Sequence, residues 1–233
     1  MKTAKVLVSD KLSDSGLAVL RAAAGIQVDY RPGLTEDELA NAIGEYDGLI
    51  IRSNSKVTAK VLARADQLQV VGRAGIGVDN VDVAAASRKG VVVMNTPTGN
   101  AVTTAEHAIS LLMSLARYIP QATASVKIGK WEKTKFEGTE IAGKTLGVIG
   151  MGNIGRIVAD RAQGLKMNVI AFDPVLSSDK ASSLGVELVS IDTLFERSDF
   201  ITAHAPLTPE TKGLIGEKSI KKMKKGVMII NAA

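Results

Sequence analysis

The chain of 233 residues contains no cysteine and only two histidines, His107 and His204. Disulfides, thiolate metal ligands and cysteine nucleophiles are excluded together, and two imidazoles leave almost no capacity for a histidine-rich metal centre. Aromatic residues make up 3% of the chain, with a single tryptophan, too few for the stacking platform that single-stranded nucleic acid requires. No uninterrupted apolar run approaches the roughly 18 residues that cross a bilayer, and Asp10 stands where a signal peptide would carry its apolar core. The expected location is the cytoplasm, with no membrane partner. An excess of one charge is also lacking: 29 basic against 24 acidic side chains leave a net +5, mild for this length, so no nucleic-acid partner is expected. The one dense basic run, KSIKKMKKG, puts Lys218, Lys221, Lys222 and Lys225 at the i, i+3, i+4, i+7 spacing and reads as the solvated face of a short helix.

With 45% hydrophobic and 23% charged residues, the composition is that of a globular protein, and the length suits one large domain or two modest ones. Short β-branched runs alternate with helical patterns: AKVLVS, a Ser13-led helix ending at Gly25, IQVDY, and a second helix opened by a capping box between Thr35 and Glu38. DGLIIR, LQVVG and GVVVM add three nearly continuous apolar strands, as expected where helices cover both faces of a parallel sheet. At NTPTGN the pattern breaks, and a long helix from Asn100 runs until Pro120. Five further strands follow the linker KWEKTKFEGTEIAGK: TLGVIG, MNVIAF, VELV, DFITAH and GVMII. A sheet made of two mononucleotide-binding halves ordinarily has six. The expected division is therefore 1–98 and 99–233.

Gly150-Met151-Gly152-Asn153-Ile154-Gly155 directly follows the strand Thr145 to Ile149 and directly precedes a helical pattern. In that context the glycines divide the work among them. Gly150 allows a tight turn, Gly152 lets a pyrophosphate approach the backbone, and Gly155 lets the helix pack closely. Asp173 lies at the end of the next strand, where a carboxylate accepts from ribose hydroxyls and repels a 2′-phosphate, and Pro174, Val175 and Leu176 supply no cation. NAD is thus favoured over NADP. His204 ends the fourth strand of this series and is expected to line the nicotinamide pocket without moving a proton, while His107 reads as a packing residue of the long helix. Arg52 and the Gly72-Arg73-Ala74-Gly75-Ile76-Gly77 turn leave two strand ends of the first region, where arginine forks and glycine N–H groups can hold an anion. There is no G-x-S-x-G, no H-E-x-x-H and no P-loop lysine, so hydrolase, zincin and P-loop chemistry have no carrier.

Taken together, IIRSNSKVT, VVGRAGIGVDNVD, NTPTGNAVTTAEHAISLLMSLAR, GKTLGVIGMGNIG, Asp173, HAPLTPETKGLIG and MKKGVMIINAA resemble the D-isomer-specific 2-hydroxyacid dehydrogenases along the whole chain. The resemblance implies an α/β protein of two doubly wound parallel-sheet domains. Residues 1–98 would form a flavodoxin-like substrate domain and 99–233 a partial Rossmann NAD-binding domain inserted into it. It implies NAD contacts at Ile76, Asn153, Ile154, Asp173, Ala205 and Ala232. Contacts to a phosphorylated 2-hydroxy acid would fall on Arg52, Ser53, Asn54 and Gly75. The catalytic arginine, glutamate and histidine of the family would follow Ala233, so no catalytic residue is expected within the chain, which would be inactive alone. The apolar helix 100–118 suggests a homodimer, in which Trp131 and Lys133 reach the other subunit's substrate site. Two other readings remain at this point: a reductase of glyoxylate or hydroxypyruvate, and a module that senses dinucleotide without turnover.

Overall fold

The computed structural model describes residues 3–232, and the chain divides into two compact units, Met1–Asn100 and Ala101–Ala233. In unit 1, strands β1 (Ala4–Val8), β2 (Ile26–Tyr30), β3 (Gly48–Ile51), β4 (Val70–Arg73) and β5 (Val92–Asn95) alternate with helices α1 (Asp14–Ala22), α2 (Glu36–Ala42), α3 (Ala59–Ala63) and α4 (Val83–Arg88). All strand pairs are parallel, in the order β2-β1-β3-β4-β5, which is the flavodoxin-like arrangement with its switch point between β1 and β3. Local chemistry sets the helix starts. The Ser13 hydroxyl accepts from Gly16 N–H, and Thr35 and Glu38 form the expected reciprocal capping box. Leu7, Leu49, Ile51 and Val71 of the sheet are buried with Leu39, Ile43 and Val61 of the helices in one core.

Unit 2 begins with α5 (Ala101–Ala116) and α6 (Ile119–Lys127). The break falls at Tyr118, which adopts the left-handed conformation with φ of 52°, so that Pro120 sits in the first turn of α6, where its missing N–H costs nothing. Then come β6 (Thr145–Ile149), α7 (Asn153–Gly164), β7 (Asn168–Phe172), α8 (Ser178–Ser183), β8 (Glu187–Leu188), α9 (Ile191–Arg197), β9 (Phe200–Ala203), α10 (Glu217–Ile220) and β10 (Met228–Asn231). The parallel order β10-β9-β6-β7-β8 corresponds to five positions of the six-stranded Rossmann sheet, with the switch point between β6 and β9.

Alternation along the strands feeds two cores. Leu146 and Val148 of β6 pack with α5 and α7, and Ile149 packs on the other face with Leu194 and Phe195 of α9. Small side chains on α5 (Ala105, Ala108) and α7 (Ala159, Ala162) belong to the first of these cores, which lets the two helices approach closely.

Three sequence-based expectations change. The basic run forms only the four-residue α10, too short to carry Lys218 and Lys225 on one face. Its lysines instead pair separately, Lys221 with Glu217, Lys222 with Asp192 and Lys224 with Asp199. His107 is exposed rather than packed. The apolar residues of α5 expected at an interface mostly face inward: Ala101, Ala105, Ala108, Leu112 and Ala116 are buried in the chain's own core. Among the described residues no helix is long and apolar enough to cross a membrane.

Candidate functional site

In unit 2 the strand register builds a row. Phe172, Ile149, Ala203 and Asn231 align across β7, β6, β9 and β10. The residues that follow them in the chain are Asp173, Gly150, His204 and Ala232, so all four emerge at the C-terminal edge of the sheet, astride its switch point. That edge is where open α/β sheets bind ligands.

The glycines behave as three different devices. Gly150 has φ of +90°, and a Cβ there would stand 2.8 Å from the carbonyl oxygen of His204. Gly155 has no room at all, since its Cβ would lie 2.0 Å from the carbonyl oxygen of Gly150. Gly152 meets nothing within 4 Å, although it caps α7 with no side-chain hydrogen bond. The space a Cβ would fill above Gly152 is thus open beside the positive end of a twelve-residue helix that begins at Asn153 and Ile154, a cradle for an anion.

Asp173 ties the end of β7 to this turn. Its Oδ2 accepts from Met151 N–H at 2.7 Å, and its Oδ1 accepts from Val175 and Leu176 N–H at 2.8 and 3.0 Å. Burial pushes the carboxyl up, but these three peptide donors and the nearby Arg156 together hold it below its usual value. Of about four acceptor positions on a carboxylate, three are engaged, so contact with both hydroxyls of a ribose requires one peptide bond to be shared. Arg156 is the cation that the residues after Asp173 lack. It comes from the first turn of α7, and its Nε donates to the Met151 carbonyl at 2.8 Å.

His204 continues the ladder, its N–H donating to the Ile149 carbonyl at 2.8 Å. Its Nε2 lies 2.9 Å from the Thr202 hydroxyl, and its buried Nδ1 has no partner among the described residues. An orphaned polar atom at the switch point fits a bound polar ligand. Burial lowers the His204 pKa from 6.5 to about 4. The ring is neutral in the native chain at pH 7 and charges in the unfolded chain below about 6.5. Stability is therefore complete above pH 6.5 and falls between 6.5 and 4, by roughly 3 kcal/mol. His204→Gln is expected to flatten that part of the stability curve in denaturant titrations. An unchanged slope would show the ring is not buried neutral. Ala205 and Ala232 are half-buried beside it.

In unit 1 the switch point is equally furnished. Arg52, Ser53 and Asn54 are exposed in the loop after β3, and Arg73 ends β4. The Arg73 side chain folds over Gly75 so closely that a Cβ there would meet its guanidinium, and its buried Nε has no partner among the described residues. Gly75 N–H turns back to the Arg73 carbonyl at 2.9 Å, and the Ile76 carbonyl accepts from Asn95 Nδ2 at 2.6 Å. Ile76 itself is half-buried in this loop. Sequence reasoning missed the residues that hold these loops. Asp10 is 3% exposed and accepts from the N–H groups of Arg52 and Ser55 at 2.6 and 3.1 Å. Asn80 donates to the carbonyls of Arg52 and Ser55, both at 2.7 Å. The available signal was an acidic residue within two positions of a strand's C-terminal end, which Asp10 after Val8 shares with Asp173 after Phe172.

Comparison with known proteins identifies the family to which this chain belongs. The family model described as D-isomer specific 2-hydroxyacid dehydrogenase, NAD binding domain, matches residues 109–233. A D-3-phosphoglycerate dehydrogenase of Archaeoglobus fulgidus is 48% identical over 98% of this chain and 43% of its own length, so the chain spans less than half of that curated relative. Among solved structures, the TT0316 protein of Thermus thermophilus superposes with a TM-score of 0.88 at 32% identity, over 97% of this chain and 73% of that one. The cofactor (NAD+) bound 3-phosphoglycerate dehydrogenase of Entamoeba histolytica gives 0.82 at 30% identity, over 98% and 71%.

Proposed function

The chain belongs to the D-isomer-specific 2-hydroxyacid dehydrogenase family, and from that premise we propose that it serves the NAD-dependent oxidation of 3-phospho-D-glycerate to 3-phosphooxypyruvate, feeding serine biosynthesis. The observation that carries the cofactor half is the aligned row Asp173, Gly150, His204 and Ala232 beside the open cradle of Gly152. Bound there, the nicotinamide supplies the hydride acceptor. The peptide N–H groups of Asn153, Ile154 and Gly155 begin α7 and face the pyrophosphate charge. Asp173 orients the adenosine ribose. Val175 and Leu207, 90% and 80% exposed, follow β7 and β9 on either side of the glycine turn and offer apolar surface to an adenine. His204, neutral and partly unpartnered, lines the nicotinamide end with Ala205 and Ala232.

In the substrate half, unit 1 binds the phosphorylated 2-hydroxy acid. Arg52 and Arg73 supply guanidinium forks for phosphate and carboxylate, Ser53 and Asn54 supply backbone and side-chain donors, and Gly75 leaves the space a side chain would fill beside the Arg73 guanidinium. Asp173→Ala tests the cofactor half. It is expected to weaken NADH by roughly 1 to 3 kcal/mol, the scale of a lost charged hydrogen bond, in a fluorescence titration. An unchanged affinity would remove Asp173 from the site.

We also assign self-association to a different face of the first two helices of unit 2. With Ala101, Ala105, Ala108, Leu112 and Ala116 buried, the exposed apolar side chains toward the end of α5 and along α6 are Leu111, Leu115, Tyr118, Ile119, Val126 and Ile128, with Trp131 83% exposed beyond them. That is more exposed apolar area than a solvated helix pair needs, and Trp131 and Lys133 would then extend toward the partner. Light scattering at micromolar concentration is expected to report a dimer, and Ile119→Glu to shift it to monomer. A wild-type monomer would contradict the assignment.

A further inference from the structure

A loop that binds an anion through its backbone needs its own peptide groups fixed from behind, because each unsecured residue would pay conformational entropy on binding. The loop Arg52–Ser55 is fixed in that way. Buried Asp10 takes the two outer N–H groups, those of Arg52 and Ser55, on a single carboxylate oxygen. Asn80, arriving from the far end of the glycine loop after β4, takes the carbonyls of the same two residues. The Ser55 hydroxyl is also paired at 2.8 Å with that of buried Ser9. Between these anchors the N–H groups of Ser53 and Asn54 donate to no protein acceptor among the described residues, and both side chains are exposed.

The arrangement is selective. A carboxylate buried beneath an anion site is electrostatically unfavourable unless it does something for the loop that a neutral residue does less well. Charge-assisted bonds to two peptide N–H groups are that service. Asp10 also stands at the β1/β3 switch point, opposite Arg52 across the sheet edge, where ligands of such sheets bind.

We propose that Asp10 and Asn80 are positioning residues that pre-form the Arg52–Ser55 loop as the anion cradle of the substrate domain, leaving the Ser53 and Asn54 N–H groups for an oxyanion of the substrate. The proposal rests on the reading of unit 1 as the substrate domain and adds the residues that set its geometry.

The test uses the full-length protein, steady-state kinetics with 3-phospho-D-glycerate and NAD, and NADH fluorescence titration. Asp10→Ala and Asn80→Ala are each expected to raise the 3-phosphoglycerate KM by about tenfold or more, with kcat changed less than about threefold, as for lost ground-state binding. NADH affinity should stay the same, and inorganic phosphate should lose potency as a competitor in parallel. Asp10→Asn, which keeps an acceptor in place without its charge, should recover part of the KM. Arg52→Ala serves as reference. If it raises KM while Asp10→Ala and Asn80→Ala do not, the positioning proposal is overturned and the substrate-domain reading stands. If none of the three moves KM, both fail. Should Asp10→Ala not fold, Asn80→Ala decides on the same criterion, and a loss of NADH affinity alongside KM would mark a general structural role and overturn the proposal.

Discussion

Gly155→Ala is expected to destabilise the chain by more than about 3 kcal/mol, whereas Gly152→Ala, three residues away, should leave stability unchanged within about 0.5 kcal/mol and instead weaken NADH about 100-fold. The difference follows from what each Cβ would meet. At Gly155 it would stand 2.0 Å from the Gly150 carbonyl oxygen, backbone against backbone, and α7 could accept it only by lifting away from β6. At Gly152 it meets no atom of the chain, and φ of −68° with ψ of −160° suits any residue. The methyl group would occupy only the volume reserved for the pyrophosphate. Thermal unfolding and NADH titration of both variants check this. A destabilised Gly152→Ala with intact binding would mean that the open space is not the cofactor's.

A second large effect concerns turnover. A polypeptide of these 233 residues is expected to bind NADH but to oxidise 3-phospho-D-glycerate on the order of 10⁴ to 10⁶ times more slowly than a dehydrogenase with a base and a carboxylate-binding arginine in place. Removing the hydroxyl proton needs a base whose pKa lies near the working pH. His107 is exposed on α5, and His204 is held at about 4 by burial, with Nε2 already at the Thr202 hydroxyl. Neither histidine is suited to that role. NADH formation assayed beside an NADH titration separates binding from chemistry. Turnover above about 1 s⁻¹, within the ordinary enzyme range, would show that a group in this polypeptide acts as the base.

Much of this was legible beforehand because parallel strands covered on both faces read as apolar runs, and the glycine turn sits at a fixed place between strand and helix. The capping box at Thr35 and the strand ends at Gly150 and Asp173 fell where the residues said they would. What could not be read was the direction of side chains on elements apolar all round. The 4-3-4-4 spacing of Ala101, Ala105, Ala108, Leu112 and Ala116 faces the chain's own core, and sequence alone does not separate that face from one facing a partner. Partners distant in sequence were also hidden. Asp10 reaches residues more than forty positions away, and Arg156 comes to Asp173 only because α7 starts beside β7. The basic run forms a single helical turn, with Lys221 paired to Glu217 of that turn and Lys222 and Lys224 paired to Asp192 and Asp199 elsewhere.

Parallel calorimetric titrations with NADH and NADPH test most directly whether unit 2 is an NAD site specified by Asp173. The carboxylate is held charged by three peptide donors, and although Arg156 offsets part of its field, the proposed site sets this negative group against a 2′-phosphate. NADH is expected to bind at least about tenfold more tightly than NADPH, and Asp173→Ala to narrow that gap. Equal or tighter binding of NADPH by the unaltered chain would contradict it.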